Sequence, residues 1–325
     1  MSKFYFDLTL FDNTQTTNTG TLTAEMRTFY DATLIDLAGP KLVHDQFGQK
    51  RPIPANNGKV IDFRRFESLA KALTPLTEGV TPRGDSLEVT NFQSTVQQYG
   101  KYVEVSDMLD LTAVDNVIVE ATKLIADQAG RTLDTVSREV LNAGTNVIYC
   151  GGVASRSALA ATNKLTVEEV FKAVRALKAQ NTPTIDGGYV AIIHPDVAYD
   201  LMRDKEWINV STYAKDGSQI FEGEIGKIAG VRFVETTEAK IWAKASSDTR
   251  SVYSTLFVGD NAYGVTEITG GGLKHIVKNL GSGGSSDPLD QRATIGWKAV
   301  KTTEILVQQY MVRVESCSTF SSAAN

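Results

Sequence analysis

The sequence predicts an α+β fold: an N-terminal arm, an extended β-hairpin, one long helix, an α/β block and closing strands. Three observations carry this reading. Residues 59–106 read as strand around a turn segment rich in Pro and Gly. Val114–Leu141 keeps an unbroken 3–4 spacing of apolar side chains. From Thr166 to Gly259, helix and strand signals alternate.

Residues 12–23, DNTQTTNTGTLT, are polar and offer little apolar surface to offset the entropy of ordering. They read as an arm that is flexible or drapes a partner. A short helix over Ala24–Leu37 follows, with Met26, Phe29, Tyr30 and Leu34 on one face, and Gly39–Pro40 end it. Lys59–Phe66 and Leu87–Ser106 are the hairpin strands, and Gly100 marks a bulge in the second. An isolated two-stranded hairpin is barely stable in water, so this one needs a surface to lie on, and a neighbouring subunit is one candidate.

The helix over Val114–Leu141 spans about 42 Å at 1.5 Å per residue, long for a globular helix, which suggests a flat or elongated subunit. Asp107, Asp110 and Asp115 sit on its N-terminal side, where negative charge suits the helix dipole, and Gly144 suits its end. In the α/β block, Thr166–Gln180 is an amphipathic helix opened by a Thr166–Glu169 capping box. Tyr189–Ile193 is a buried strand, and Pro195–Trp207 is a helix with proline in its first turn. Val231–Glu235 and Tyr253–Gly259 are further strands, and GSGGSS at 281–286 is a flexible loop. Arg292–Val300 and Thr303–Glu315 close the chain as long strands, expected to return beside the long helix.

With 325 residues, the chain is one large domain or two moderate ones, long enough to bury a core. Apolar residues make up 42%, slightly under the usual range, which leaves a share of contacts for other subunits. A formal net charge of −5 disfavours non-specific binding of nucleic acid. The densest basic run, Lys59, Arg64 and Arg65, is interrupted by Asp62 and Glu67. Cys150 and Cys317 have no paired spacing and read as free thiols in a reduced, intracellular setting. Met1–Leu10 has no signal-peptide pattern, and no apolar stretch reaches the length of a membrane span.

The signs of chemistry are few. His44, His194 and His275 lack metal-ligand spacing, and HExxH, GxSxG and the P-loop pattern are absent. His194, in IIHPD, reads as a turn histidine bonded to local backbone. GEIGKIAG (223–230) reads as turn glycines, and GGGLKH (270–275) as a surface loop. The three aspartates are explained by capping and solvation, and the NVS sequon at Asn209 is idle without a secretory signal. Trp207, Trp242 and Trp297 are spaced as core or interface anchors rather than as a base-stacking platform. No residue is assigned to catalysis, metal or cofactor, and the chain is read as a non-enzyme.

Two stretches carry a resemblance. LTPLTEGVTPRGDSLEVTNFQSTVQQYGKYVEVSDML (73–109), and YVAIIHPDVAYDLMRD (189–204) with IFEGEIGKIAGVRFVETTEA (220–239), are similar to the major capsid proteins of tailed phages in the N4-like coat family. The resemblance implies the Hong Kong 97-type fold. Residues 1–54 would be the N-terminal arm, 55–104 the extended β-hairpin loop reaching over a neighbour, and 105–149 the peripheral domain with its spine helix. Residues 150–270 would be the axial domain, and 271–325 the returning peripheral strands and C-terminus. It further implies an icosahedral shell of pentamers and hexamers enclosing double-stranded DNA without specific binding, in a virion assembled in the host bacterial cytoplasm. A separate scaffolding protein, a portal and a decoration protein are the implied partners, with no membrane. Some members of the fold cross-link subunits through a Lys–Asn bond; Lys71 lies in the right loop, but no acceptor is assignable. Two rivals stand beside this reading: a cellular nanocompartment shell of the same fold, and an α/β enzyme using residues 150–270.

Overall fold

A computed structural model of the chain describes residues 42–52, 59–66, 69–76, 78–81, 84–112, 117–207, 227–267, 273–282 and 287–325. The polar stretch 12–23 and the helix expected over Ala24–Leu37 lie outside these residues, as do 283–286 of the Gly/Ser loop. In chain order the elements are β1 (Gln49–Arg51), β2 (Val60–Phe66), β3 (Val89–Thr95), β4 (Gln97–Ser106), α1 (Asp107–Thr112) and α2 (Val117–Asn142). Then come β5 (Val147–Tyr149), α3 (Val167–Ala179), β6 (Tyr189–Ile193), α4 (Pro195–Met202), β7 (Lys227–Ile228), β8 (Val231–Glu235) and β9 (Ile241–Trp242). The chain closes with β10 (Val252–Val258), β11 (Tyr263–Thr266), β12 (Leu273–Lys278), β13 (Arg292–Lys301), β14 (Thr303–Ile305) and β15 (Met311–Cys317). The chain divides into two compact units: one holds 98–130 and 271–299, the other holds 42–97, 131–270 and 300–325.

The larger unit is built on a seven-stranded sheet in the order β5-β15-β10-β6-β8-β7, with β9 on β10. β6 runs parallel to β8 through α4, while β10 is antiparallel to both β6 and β15. Successive side chains alternate between faces, and here both faces are covered. Ala191, Ile193, Phe257, Val312 and Val314 pack with Val170, Val174 and Leu177 of α3 and Val197 and Leu201 of α4. Their neighbours Ile192, Leu256, Val258 and Met311 turn to the other face, onto Leu141 of α2, Val43 and Tyr263. This two-sided cover is why β6, β10 and β15 are buried along their whole length.

The position of β15 differs from the expectation that residues 271–325 return as peripheral strands. Residues 311–317 lie mid-sheet in the α/β block, between β5 and β10. The single strand expected over Thr303–Glu315 is broken. Leu306 and Val307 both donate backbone N–H to Ala262 O, at 2.9 and 3.0 Å, and a 3₁₀ turn at Gln308–Tyr310 follows. That bend frees Leu306 and Val307 to point elsewhere, as described below.

Other boundaries shift for local reasons. α3 starts at Val167, but Thr166 makes no side-chain cap. Asp204 Oδ2 accepts the Val167 N–H at 3.0 Å instead, and Glu169, the expected partner in the box, is buried and accepts from Gly151 N–H at 3.2 Å. The expected helix to Trp207 is interrupted: α4 ends at Met202, helix resumes at 205–207, and the same aspartate accepts the Glu206 N–H there through Oδ1. Lys274 and His275, expected in a loop, belong to β12.

The smaller unit contains the sheet β12-β13-β4, with β12 and β13 antiparallel from Leu273↔Ala299 to Lys278↔Thr294. β4 runs unbroken through Gly100, and the break expected there falls at Val96. Gly100 serves close approach instead: a Cβ there would lie 2.7 Å from Trp297 O, and one at Gly296 would lie 2.8 Å from Tyr102 Cβ. Trp297 is buried and its Nε1–H donates to Gln128 of α2 at 3.4 Å.

Residues Ser318–Ser322 fold back onto α4. Asp200 accepts from Ser318 Oγ, Thr319 N–H and Lys164 Nζ at 2.7, 2.7 and 3.1 Å, and Ser322 Oγ donates to Asp196 at 2.6 Å. Burial raises the Asp200 carboxyl pKa, but the hydrogen bonds from Thr319, Ser318 and Lys164 outweigh it and hold it below the usual carboxylate value. A lowered folded pKa stabilises above the unfolded value and is lost as pH falls through the folded one. The clamp should therefore hold above about pH 4 and loosen progressively below it. Asp200→Asn should weaken it at neutral pH, at a cost of about 1–3 kcal/mol. Hydrogen exchange over 317–322 checks both: unchanged protection at pH 3, or in the variant, would show that Asp200 does not hold the segment.

Candidate functional site: the assembly surface

The hairpin formed by β2, β3 and the loop between them combines buried and exposed apolar side chains. β2 and β3 pair antiparallel in perfect succession from Val60↔Thr95 to Phe66↔Val89. Their inner residues do not wait for another subunit. Phe63 and Ile61 are buried against Leu306 and Val307, the two residues released by the break before β15. Phe63 lies directly over Gly264 of β11, where a Cβ would come within 2.3 Å of its ring. Ser94 Oγ meets Thr302 Oγ1 at 2.6 Å, and Arg65 donates to Leu306 O at 3.2 Å. The root of the hairpin thus lies on its own subunit.

Beyond this root the pattern reverses. Leu73 and Leu76 are 82% and 77% exposed, and Leu69, Val80 and Leu87 are also exposed. Five aliphatic side chains are thus exposed within one loop. Glu78, Asp85 and Glu88 are exposed among them, and Gly79 takes a left-handed φ of 77° beside Glu78. Lys71 is exposed in the same loop.

A buried ionic cluster fastens the residues that precede β1. Asp134 of α2 accepts His44 N–H at 2.8 Å and meets His44 Nδ1 at 2.7 Å, with both side chains shielded from solvent. Asp45 accepts from Ser137 Oγ at 2.5 Å and pairs with Lys301 Nζ, itself 2% exposed. Ser137 also meets Thr303 Oγ1 at 2.9 Å, and Tyr263 OH donates to His44 O. Burial, then the charges of Asp45 and Asp134, push the Tyr263 phenol well above its ordinary pKa, so it stays a donor. None of these partners except His44 stood out in the sequence, because they come from segments up to 256 residues apart.

The candidate chemical residues are dispersed. His194 caps α4, its Nδ1 accepting Asp196 N–H at 3.1 Å; burial lowers its pKa, with Asp196 opposing. Cys150 and Cys317 are both buried and unbonded to each other, and burial pushes the Cys150 thiol well up. Asp107 accepts Met108 N–H at 2.7 Å at the start of α1, whereas the side chains of Asp110 and Asp115 lie outside the described residues. Trp207 is buried edge-on to Phe233, and Trp242 carries the Arg156 guanidinium 3.5 Å above its ring. Gly230, with φ 81°, closes the β7–β8 turn; residues 223–226 and Asn209 fall outside the described residues. Among the described residues no group of three or more His, Cys, Asp or Glu is placed to hold a metal, and no helix is long and apolar enough to cross a membrane.

The family model described as phage capsid protein matches residues 91–307. The chain belongs to the phage capsid protein family. No curated protein matches its sequence. The capsid subunit's fold agrees with solved phage capsids: that of Ralstonia phage GP4 at TM-score 0.68 and 15% identity, covering 85% of this chain and 88% of that one. The capsid asymmetric unit of cyanophage Pam1 gives 0.64 at 14% identity, covering 98% and 100%, and the capsid of cyanophage P-SCSP1u gives 0.62 at 15%, covering 84% and 87%. This is the Hong Kong 97-type fold, and the subunit is a major capsid protein that forms the phage shell.

Proposed function

We propose that this capsid subunit builds an icosahedral shell from rings of five and six copies around double-stranded DNA, with the hairpin loop of each copy lying on a neighbour. The observation that carries the reading is the contrast within one hairpin: a root buried on its own subunit and a loop that exposes Leu69, Leu73, Leu76, Val80 and Leu87. Burying such side chains stabilises association by about 25 cal/mol per Å² removed from water. Residues 150–270, with 311–317 in the same sheet, serve as the axial domain at the ring centres; 105–149 with β12 and β13 serve as the peripheral domain. The stretches 73–109, 189–204 and 220–239 support placing the chain in the N4-like coat family. The net charge of −5 supports a wall that encloses DNA without gripping it.

The proposed partners are a separate scaffolding protein, a portal and a decoration protein, with assembly in the host bacterial cytoplasm and no catalytic step. Electron microscopy and sedimentation of the protein, alone and with a candidate scaffold, test this. Closed shells or five- and six-membered rings are expected, and their diameter separates a phage head from a smaller nanocompartment. A small oligomer indifferent to concentration, salt and scaffold would refute shell formation.

A further inference from the structure

A cleft of about 760 Å³ opens beside the root of the hairpin, walled by β1, the outer end of β2 and the turn before β15. Arg51, Arg64 and Arg65 line it, and no carboxylate among the described residues does. Arg65 is engaged with Leu306 O and the Phe92 ring. Arg51 and Arg64 make no ion pair among the described residues, and the buried Nε of Arg51 has no hydrogen-bond partner there. The amide oxygen of Gln49, on the same wall, is equally unsatisfied, and its amide can turn to present NH₂. Phe66, 67% exposed, and Leu306 and Tyr310 add apolar surface beside the cations.

A site combining arginines with aromatic and aliphatic side chains suits a protein partner better than a DNA backbone, which needs cations alone. It also needs an occupant carrying carboxylates beside apolar side chains. The hairpin loop has that composition: Glu78, Asp85 and Glu88 have no ion-pair partners among the described residues and stand among Leu76, Val80 and Leu87, all exposed.

We propose that the cleft receives the hairpin loop of a second copy of this chain, with Arg51 and Arg64 pairing with the loop carboxylates. The proposal rests on the shell reading above and names the surface that receives the loop. Loop and cleft are different patches, so each copy offers one and takes the other. A head-to-tail contact of that kind closes into rings when its rotation allows. The cations would be largely desolvated on docking, so charge complementarity there selects the register as well as adding affinity.

Two experiments test it. Copies carrying Arg64→Cys are mixed with copies carrying Asp85→Cys and oxidised with diamide; the native thiols are buried. Covalent dimers should form in the mixture and exceed those from either variant alone by about tenfold, the ratio that 1.4 kcal/mol of preferred contact gives. Equal yields would overturn the proposal. Separately, Arg51→Glu with Arg64→Glu should cut the shell fraction in sedimentation at least about tenfold through like-charge contact, and adding Glu78→Arg, Asp85→Arg and Glu88→Arg should restore it. Normal shells from Arg51→Glu with Arg64→Glu alone, or no recovery on adding the three loop reversals, would overturn the cleft, and if the shells of the two-site variant lost packaged DNA, the cleft's ligand would be phosphate. Wild-type protein that forms no shells would instead refute the shell reading, while the cross-linking result would still stand on its own.

Discussion

Asp45→Ala is expected to destabilise the unassembled subunit by about 3–5 kcal/mol, because it strands the Lys301 ammonium in the interior without a counter-charge. Lys301 is 2% exposed, and its Nζ is held by the Asp45 carboxylate. A buried ammonium alone costs several kcal/mol of desolvation, and only its partner offsets this. The variant also deprives Ser137 of its 2.5 Å acceptor, leaving Thr303 Oγ1 at 2.9 Å. Urea unfolding measures the loss, and hydrogen exchange should show residues 42–48 opening first. The decisive comparison is Asp45→Leu with Lys301→Met, which removes both charges and fills the space. It should be markedly less destabilised than Asp45→Ala, since breaking an ion pair is worse than replacing it. If the single variant loses under about 1 kcal/mol, water or rearrangement solvates Lys301 and the cluster does not fasten the chain.

What the sequence discloses about this fold is what is local. α2 was legible because an apolar stripe recurring over seven turns has no competing reading, and its observed range, Val117–Asn142, sits within three residues of the expected one. The hairpin strands were legible because β-branched and aromatic residues flank a Pro/Gly segment, and the pairing Val60↔Thr95 to Phe66↔Val89 follows. What was hidden is non-local. Nothing in MVRVESC says that it inserts between β5 and β10, because sheet order is decided by which distant strands share a buried face. The Thr166–Glu169 box failed since Asp204, 37 residues on from the Val167 N–H it accepts, outcompeted a short-range partner. The same applies to the assembly surface. Three of the loop's four exposed leucines lie in the stretch 73–109, whereas the arginine cleft joins β1, β2 and the 306–310 turn, and no spacing announces it. His44 was noticed as one of three histidines, but its partner at Asp134 is a tertiary fact.

Phe63→Ala is expected to be as costly, about 3–5 kcal/mol, and to abolish assembly, because one ring joins the hairpin to the body. Phe63 is fully buried, packed with Ile61, Leu306 and Val307. Its ring occupies the space that a side chain at position 264 would need, 2.3 Å from an added Cβ, so the glycine and the phenylalanine are two halves of one fit. Removing the ring leaves a cavity beneath a two-stranded ribbon that has little stability of its own. Protection from hydrogen exchange should fall across 60–66 and 89–95 together, while β6, β10 and β15 keep theirs. Gly264→Ala approaches the same joint from the other side: the added methyl must displace the ring, at about 1–3 kcal/mol for overpacking. Pairing Gly264→Ala with Phe63→Leu, whose smaller side chain makes room for that methyl, should be less destabilising than the two single losses added together, a coupling a double-mutant cycle reads directly. Additive losses would mean that the two residues do not share one space. If Phe63→Ala subunits keep the exchange protection of β2 and β3 and still form shells, the root is held by its polar contacts at Ser94 and Arg65, and the buried ring is not what sets the loop's aim.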